Sequence, residues 1–536
     1  MIRSALAAAS VAAFTAIATL RGGMPTARAA SVTSLPPILF VPLDDRPVTL
    51  QLPILLGRVA GRTVLAPPSA LVGRYLAPGD GAGILRWLRS PAAAGADALI
   101  ASTDMIAYGG LVASRVPGVS AADAGERLAE LGTLKRDAAL DFVGAFGTVM
   151  RLAPTGVPRQ GLARDYYATG ATVDDIQAYA NLPDPPATPE NRRKAAALRA
   201  RIGPATLDAY LATRRRNLAV DERALAVAAG GGFDRLVIGQ DDAGPVGLHL
   251  RDVAALERLR RDVGAKDVAA IEPGADELGM VLLGRALARD AGWAPSIRVV
   301  YSRPGGGALE DRLEFAPIDV TIARLIAASG ARRVERGADV TLYVRVAGTP
   351  AAAETAFEDT IAGDVAAGRA ATVADLTFLA GEPGPEQREL AEALVARGVA
   401  GRLDGFASWN TNANTVGTAL GAALAVGAGR RLGRYDAHAH AEFVLDRFID
   451  DYAFHQFVRP PLNATFRALG ADTTLLDPEL AREAAAQNRA DLWPLALDLL
   501  HRIYPGYTDA GLIVTLPWDR TFETRIDVRL AGGSPA

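Results

Sequence analysis

From Leu35 onward, short apolar, strand-like runs alternate with longer Ala-, Leu- and Arg-rich stretches of helical period. This alternation is typical of βα units built on a parallel sheet. Strands are predicted at 38–43, 98–103, 141–149, 235–239, 267–272, 297–301, 340–346, 371–377 and 404–409. Helices are predicted at 81–90, 120–137, 188–228, 250–263, 276–289, 317–329, 351–368, 386–399 and 415–427. We therefore predict an α/β fold, either a (β/α)-barrel-like or a Rossmann-like parallel sheet core.

The N-terminus has the pattern of a secretory signal. A positive end at Arg3, an apolar stretch and a small-x-small site at Ala27-Arg28-Ala29 predict cleavage near Ala29 or Ala30. We therefore assign residues 1–30 to a signal peptide. The protein is expected to be secreted, periplasmic or held in the cell envelope, with no transmembrane span after cleavage.

The remainder divides into two regions. Residues 31–430 are predicted to form an α/β catalytic-type domain, in which 291–430 could make a second α/β lobe. A long insertion at 155–230 is expected to overhang the active face, and its Arg214–Arg216 run is expected to lie on a solvated helix face. Residues 431–536 predict a C-terminal helical segment that ends in a two-stranded hairpin.

Composition excludes several classes of protein. The 536 residues are 50% hydrophobic, carry a formal charge of −3 and include no cysteine. The charge gives no basic field for a phosphate backbone, so we expect a small-molecule or glycan substrate and no nucleic acid. The lack of cysteine excludes disulfides, thiolate nucleophiles and Cys-ligated metals. The oligomeric state stays open.

Several of the predicted strands end in acidic side chains. The carboxyl ends of parallel strands are where the loops of α/β folds build active sites, and carboxylates do not collect there for stability. The pattern therefore predicts an acidic catalytic or cation-binding centre. Its acids are Asp44, Asp45, Asp104, Asp241, Asp242, Glu272, Asp276 and Glu277.

Asp241 and Asp242 are the predicted catalytic pair. Adjacent carboxylates at a strand end point in different directions, so that one can orient or polarise while the other donates a proton. Like charge and burial would raise the pKa of the proton donor. The alternative is a simple turn built by Asp and Gly before Pro245.

The other candidates are assigned to substrate binding. Arg46 can hold one neighbouring carboxylate in place, although an Asp could instead cap the helix that Pro47 begins. A phenol, side-chain amides and an indole are suited to recognising a polyol. The predicted binding residues are Asp44, Asp45, Arg46, Asp104, Tyr108, Arg115, Gln240, Glu272, Asp276, Glu277, Trp409, Asn410 and Asn414.

No cofactor is predicted. With 5 His and no Cys in the chain, a conventional zinc site is disfavoured. An all-oxygen Mg²⁺ or Ca²⁺ site built from the Asp clusters is the alternative.

These same motifs carry a family resemblance. Leu43–Pro47, Thr103-Asp104 with Tyr108–Leu111 and Ser114-Arg115, Gln240–Asp242, Gly274–Glu277, and Trp409–Thr411 with Asn414-Thr415 resemble the bacterial domain-of-unknown-function family numbered 4127. The resemblance spans about 36–525. It implies a secreted or envelope-associated bacterial protein and carries no assigned activity.

The leading functional hypothesis is a glycoside hydrolase-like enzyme that uses the paired Asp residues on a cell-wall or exopolysaccharide glycan. If strand 235–239 were the fourth strand of a barrel, the pair would sit where several retaining hexosaminidase families place an adjacent acid pair. The alternatives are a Mg²⁺- or Mn²⁺-dependent hydrolase and a non-catalytic carbohydrate-binding envelope protein.

Overall fold

The computed structural model describes residues 35–154, 173–377 and 387–533. The predicted signal peptide at 1–30 and the first part of the predicted insertion, 155–172, lie outside the described residues. Within the described part, residues 36–533 belong to one compact unit.

Two parallel sheets form the centre of the protein. The first contains β1 to β6: Ile38–Val41, Val64–Leu65, Ala98–Ser102, Phe142–Val149, Arg235–Gln240 and Ala269–Pro273. The second contains β7 to β11: Ser296–Tyr301, Arg332–Arg333, Val340–Arg345, Ala371–Asp375 and Gly405–Ala407. All the predicted strands are present, and within the described ranges the sequence missed only the two-residue edge strands β2 and β8.

Both sheets are open, so the Rossmann-like alternative is confirmed and the barrel is not formed. The first sheet has the order β2-β1-β3-β4-β5-β6, and the second has β11-β10-β9-β7-β8. In each sheet, the second strand of the chain pairs with one edge of the first strand, and the third strand pairs with the opposite edge of that first strand. This reversal leaves a crevice at the carboxyl ends of the strands, where α/β proteins bind ligands. The hexosaminidase analogy fails, because β5 is no barrel strand.

The helices cover both sheets. In chain order α1 to α9 are Leu52–Val59, Gly81–Leu88, Thr103–Tyr108, Leu111–Ser114, Ala121–Asp137, Val173–Ala180, Pro189–Ile202, Pro204–Ala229 and Leu248–Asp262. The following α10 to α17 are Leu278–Asp290, Ile318–Ala328, Ala351–Ala366, Gln387–Ala396, Asn412–Leu432, Ala437–Arg447, Arg459–Ala468 and Pro478–Ile503. None of the helices in the described ranges combines the length and apolarity needed to cross a membrane.

The two sheets are joined through α10 and α14. Helix α10 packs on β3 and β4, α14 packs on β10 and β11, and the two helices pack on each other. Helix α14 is apolar nearly all round and buried from Asn412 to Gly429, as expected of a helix enclosed by other elements. Glycines make the close approach possible: a Cβ on Gly417 would lie 2.3 Å from Cγ of Glu277.

The insertion folds back on the first sheet, and one prediction about it is wrong. Arg214, on α8, is buried and donates to the carbonyls of Met150 and Arg151 and to Asp252. Arg216 donates to the carbonyl of Ser114. These side chains satisfy loop carbonyls that would otherwise be buried without partners, which is why they do not lie on a solvated face.

The C-terminal segment closes the carboxyl edge of the first sheet. Helix α15 continues without a break into a π-helical stretch, Phe448–Val458, which packs on α17. The strands β12 (Asp509–Thr515) and β13 (Arg525–Ala531) then pair antiparallel. The connection between them, 516–524, carries aromatic and charged side chains to the site described next.

The helix pair α10–α14 gives a test of the fold. Gly417→Ala should lower the free energy of unfolding by about 1–3 kcal/mol, because the added methyl overlaps Glu277. Gly363→Ala is the matched control: Gly363 lies in α12 with open space around it, so the same change should stabilise by about 0.5–1 kcal/mol. Both are measured by chemical denaturation. Equal effects would contradict the packing described here.

Candidate active site

A cavity of about 360 Å³ lies over the carboxyl ends of the first sheet. Loops after β1, β3, β4, β5, β6 and β11 and the β12–β13 connection reach it. Of the predicted site residues, the cavity brings together Arg46, Arg115, Asp241, Asp242, Asp276 and Asn410. The convergence of strand-tip residues from distant parts of the chain is what the sequence predicted for a parallel sheet.

Arg46 is clamped between two carboxylates. Its Nε lies 2.9 Å from Oδ1 of Asp44, and its Nη2 lies 2.7 Å from Oδ2 of the same residue. On the other edge, Nη1 and Nη2 donate to Asp276 at 3.0 and 2.6 Å. Thr49 also donates to Asp44 at 2.7 Å. Asp44 therefore shapes the loop after β1 and does not cap a helix with its side chain.

Asp45 binds an aromatic residue and not Arg46. Its Oδ1 accepts from Nε1 of Trp518 at 2.6 Å. Burial raises the pKa of Asp45 to about 6. Asp45 lines a second cavity of about 250 Å³, outside the main one, and acts on the main cavity by positioning Trp518.

Asp241 and Asp242 have different environments, as an acid–base pair requires. Asp241 is buried and ion-paired, with its Oδ2 2.5 Å from Nη2 of Arg115. The Asp242 side chain is 30% exposed, and its contact to Nη1 of Arg151 is long, at 3.5 Å. Desolvation, followed by the charge of Asp241, raises the pKa of Asp242 to about 6.

Three other predicted residues are buried and do not line the cavity. Asp104 is buried, and its burial, with the nearby charge of Asp241, raises its pKa to about 7. Gln240 donates its side-chain amide to the carbonyl of Asp241 at 2.7 Å. The ring of Tyr108 is buried, 4.4 Å from the guanidinium carbon of Arg216. Asp104 and Gln240 act on Asp241 of the acid pair, and none of the three residues is placed for direct ligand contact.

The Asn-rich loop after β11 supports the site through a chain of amide contacts. Asn410 reaches the cavity and donates to Asn414 at 2.7 Å, and Asn414 donates to Glu277 at 2.7 Å. Burial raises the pKa of Glu277 to about 8. Trp409 is buried, with its indole N–H on Thr418 at 3.2 Å. The Thr411 side chain caps α14 by accepting from the backbone N–H of Asn414.

Glu272 is set apart from the others. It is 1% exposed, neither oxygen has a hydrogen-bond partner among the described residues, and it does not line the main cavity. Burial raises its pKa to about 7. The sequence signal for Glu272, an acid at a strand end, was the same as that for Asp241, but its side chain is enclosed in the protein interior.

Sequence reasoning missed one wall of the cavity. The rings of Tyr75 and Trp518 stack with centroids 4.7 Å apart, and the guanidinium carbon of Arg520 lies 4.4 Å from the Trp518 ring centre. Phe522 and Arg151 complete this wall. Arg151 follows β4, so the strand-tip argument could have included it. Nothing in the local sequence places Tyr75 opposite the β12–β13 connection.

Backbone strain coincides with the cavity. Tyr75 and Asn410 line it and have φ angles of +44° and +55°, in the left-handed region. Asn tolerates this region, whereas a bulky aromatic does so at a cost. Such residues tend to lie at functional sites, where surrounding contacts hold them in place.

The carboxylates of the site do not form a metal cluster. Across residues 35–154, 173–377 and 387–533, no group of three or more His, Cys, Asp or Glu is arranged to hold a metal ion. Asp44, Asp276 and Asp241 instead face guanidinium groups.

Comparison with known families assigns the chain. A family described as a protein of unknown function, DUF4127, matches residues 38–527. The chain belongs to the DUF4127 family. No curated protein and no solved structure matches it. The family has no assigned activity.

Arg46 gives the first test of the site. Arg46→Met should lower the free energy of unfolding by roughly 3–5 kcal/mol, because it leaves Asp44 and Asp276 buried without a counter-charge. Adding Asp44→Asn and Asp276→Asn should restore much of this loss, since no buried charge then remains. Urea denaturation measures both. A triple variant no more stable than the single one would show that charge is not what Arg46 supplies.

Glu272 gives a second test, through pH. The folded-state pKa, about 7, lies above the ordinary 4.5, so the folded state binds more protons than the unfolded state between these values. Stability should therefore fall as pH rises through this window. Glu272→Gln should stabilise the protein at pH 8 by up to about 3 kcal/mol and leave it unchanged near pH 4.5. The exposed Glu126→Gln is the control and should show no such difference. Thermal unfolding measured at the two pH values decides the matter.

Proposed function

We propose that this protein is a glycoside hydrolase-like enzyme, with Asp242 as the general acid, acting on a glycan outside the cell. The observation that carries the proposal is the unequal environment of two adjacent carboxylates in one cavity. Asp241 is paired with Arg115, whereas Asp242 is partly exposed and has a pKa raised to about 6. Glycosidases of the usual kind use one carboxylic acid and one carboxylate in this way.

The chemistry assigns a separate role to each member of the pair. Asp242 protonates the glycosidic oxygen as the bond to the leaving sugar breaks. Asp241, in its ion pair with Arg115, stabilises the positive charge that develops on the other sugar, either as a nucleophile or by activating water. Arg115 fixes the position of Asp241. The partly buried rings of Tyr75 and Phe522 supply an apolar surface for a sugar ring.

The proposal predicts how activity depends on pH and on the leaving group. Because Asp242 must be protonated, kcat should fall as pH rises through about 6. Asp242→Asn should lower kcat on a glycan by about 10²–10⁴-fold and remove this pH dependence. It should have a much smaller effect on a dinitrophenyl glycoside, whose leaving group needs no proton. Asp241→Asn should impair both substrates.

Assays would use a panel of cell-wall and exopolysaccharide fragments together with aryl glycosides. Asp359→Asn, an exposed side chain on α12, is the matched control and should leave turnover unchanged. Loss of activity with EDTA and its return with Mg²⁺ or Mn²⁺ would favour a metal-dependent hydrolase instead. Binding of glycans without any turnover would favour a carbohydrate-binding envelope protein.

A further inference from the structure

We infer that the cavity selects a sugar bearing a negative charge, with Arg115 and Arg151 receiving the carboxylate of a uronic acid residue. This inference deepens the proposed function and rests on it for the identity of the ligand as a glycan. It starts from the guanidinium groups that line the cavity, which are Arg46, Arg115, Arg151 and Arg520.

Two of these four arginines already bind carboxylates of the protein: Arg46 binds two of them, and Arg520 forms a close pair with one. Arg46 lies between Asp44 and Asp276. Arg520 holds Glu523 through Nε at 2.9 Å and Nη2 at 2.8 Å. Neither is placed to exchange its partner for a ligand without leaving a carboxylate uncompensated.

Arg115 retains an unused donor. Its Nη2 donates to Asp241, but its Nε is buried and has no hydrogen-bond partner among the described residues. The Arg115 side chain is 6% exposed. A buried N–H without an acceptor is unfavourable, and an oxygen of a bound anion would satisfy it.

Arg151 has only a long contact to a carboxylate and lies near the like charges of Arg115 and Arg520. It donates to the carbonyl of Ala153 at 2.9 Å, but its nearest approach to Asp242 is 3.5 Å. Burial, followed by the charge of Arg115, lowers the pKa of Arg151 from its ordinary value; Asp241 and Asp242 oppose this shift, and Arg520 adds to it more weakly. A carboxylate between Arg115 and Arg151 would relieve this repulsion, and the planar guanidinium fork matches carboxylate geometry.

Protonation of Asp242 favours the binding of an anion beside Arg151. The charged groups that act on Asp242 are Asp241, Arg151, Arg115 and Asp276, and Glu314 also lies within electrostatic reach. Asp241 and Asp276 already have arginine partners. When Asp242 takes up its proton, Arg151 loses the charge of the carboxylate it contacts, while Asp241 still acts on it from its pair with Arg115. A substrate carboxylate can take the place of the Asp242 charge. Anion binding and protonation of the general acid favour each other.

The test compares glucuronate with glucose by titration calorimetry or ligand-observed NMR. At pH 5 we expect the wild-type protein to bind glucuronate at least about tenfold tighter than glucose, the range expected of a charge-assisted hydrogen bond. By pH 8 this advantage should shrink by about tenfold or more, since Asp242 is then ionised and competes for Arg151. Glucose binding should change little.

Variants separate the inferred contacts from general effects. Arg151→Gln should abolish the preference for the charged sugar, Arg151→Lys should keep part of it, and the exposed Arg258→Gln should change nothing. Asp242→Asn should retain the preference and lose its pH dependence. Thermal melts of each variant confirm that it is folded.

The outcomes are distinct from those that test catalysis. Glucuronate that binds no better than glucose, or not at all, overturns the inference, as does a preference that survives in Arg151→Gln. Tight binding of glucose 6-sulfate without binding of glucuronate overturns the uronate assignment and points to a sulfated sugar. If the proposed enzymatic activity is wrong but the inferred anion site is right, the protein will show the expected binding preference and turn over no uronate-containing glycan.

Discussion

The ion cluster Asp44–Arg46–Asp276 is the interaction on which the site depends. It joins the loop after β1 to the loop after β6, although β3, β4 and β5 lie between these strands in the sheet. The ring of Trp518 lies 4.9 Å from the guanidinium carbon of Arg46, so the β12–β13 connection rests on the same cluster. A buried ion pair adds little net stability compared with apolar residues of similar volume, but removing one partner is strongly destabilising, so the charged groups must lie together. Here it fixes the outline of the cavity.

Around this cluster, the many carboxylates of the site fall into three physical classes. Asp44, Asp241 and Asp276 are buried and form ion pairs with arginines. A second class, Asp104, Glu272, Glu277 and Glu314, is buried without an adequate cation, and burial raises their pKa values to about 7 or 8. Asp242 alone among the predicted catalytic acids combines partial exposure with a raised pKa. An acidic strand tip therefore indicates a region, and the environment decides the role.

The two sheets have related topologies with unequal roles. Numbered separately, both follow the order 2-1-3-4-5, and the first adds a sixth strand at one edge. The first sheet supplies Arg46, Arg115, Arg151, Asp241, Asp242 and Asp276 to the cavity, whereas the loop after β11 supplies Asn410. Glycines in α14 let the second sheet approach closely enough for this contribution. The chain thus uses one lobe for charge and the other mainly for support.

By itself, the sequence determined the α/β class, the long strands, and the strand ends at which Asp241, Asp242, Asp276, Arg46 and Arg115 would meet. It could do so because hydrophobic period and turn residues are local, and because parallel strands bring their carboxyl ends to one edge. Only the tertiary structure decided that the sheets stay open, that Glu272 is enclosed, that Arg214 is buried, and that Tyr75, Trp518 and Arg520 form the opposite wall. Each of these outcomes depends on contacts between residues that are far apart in the chain. A local pattern of residues does not specify such contacts.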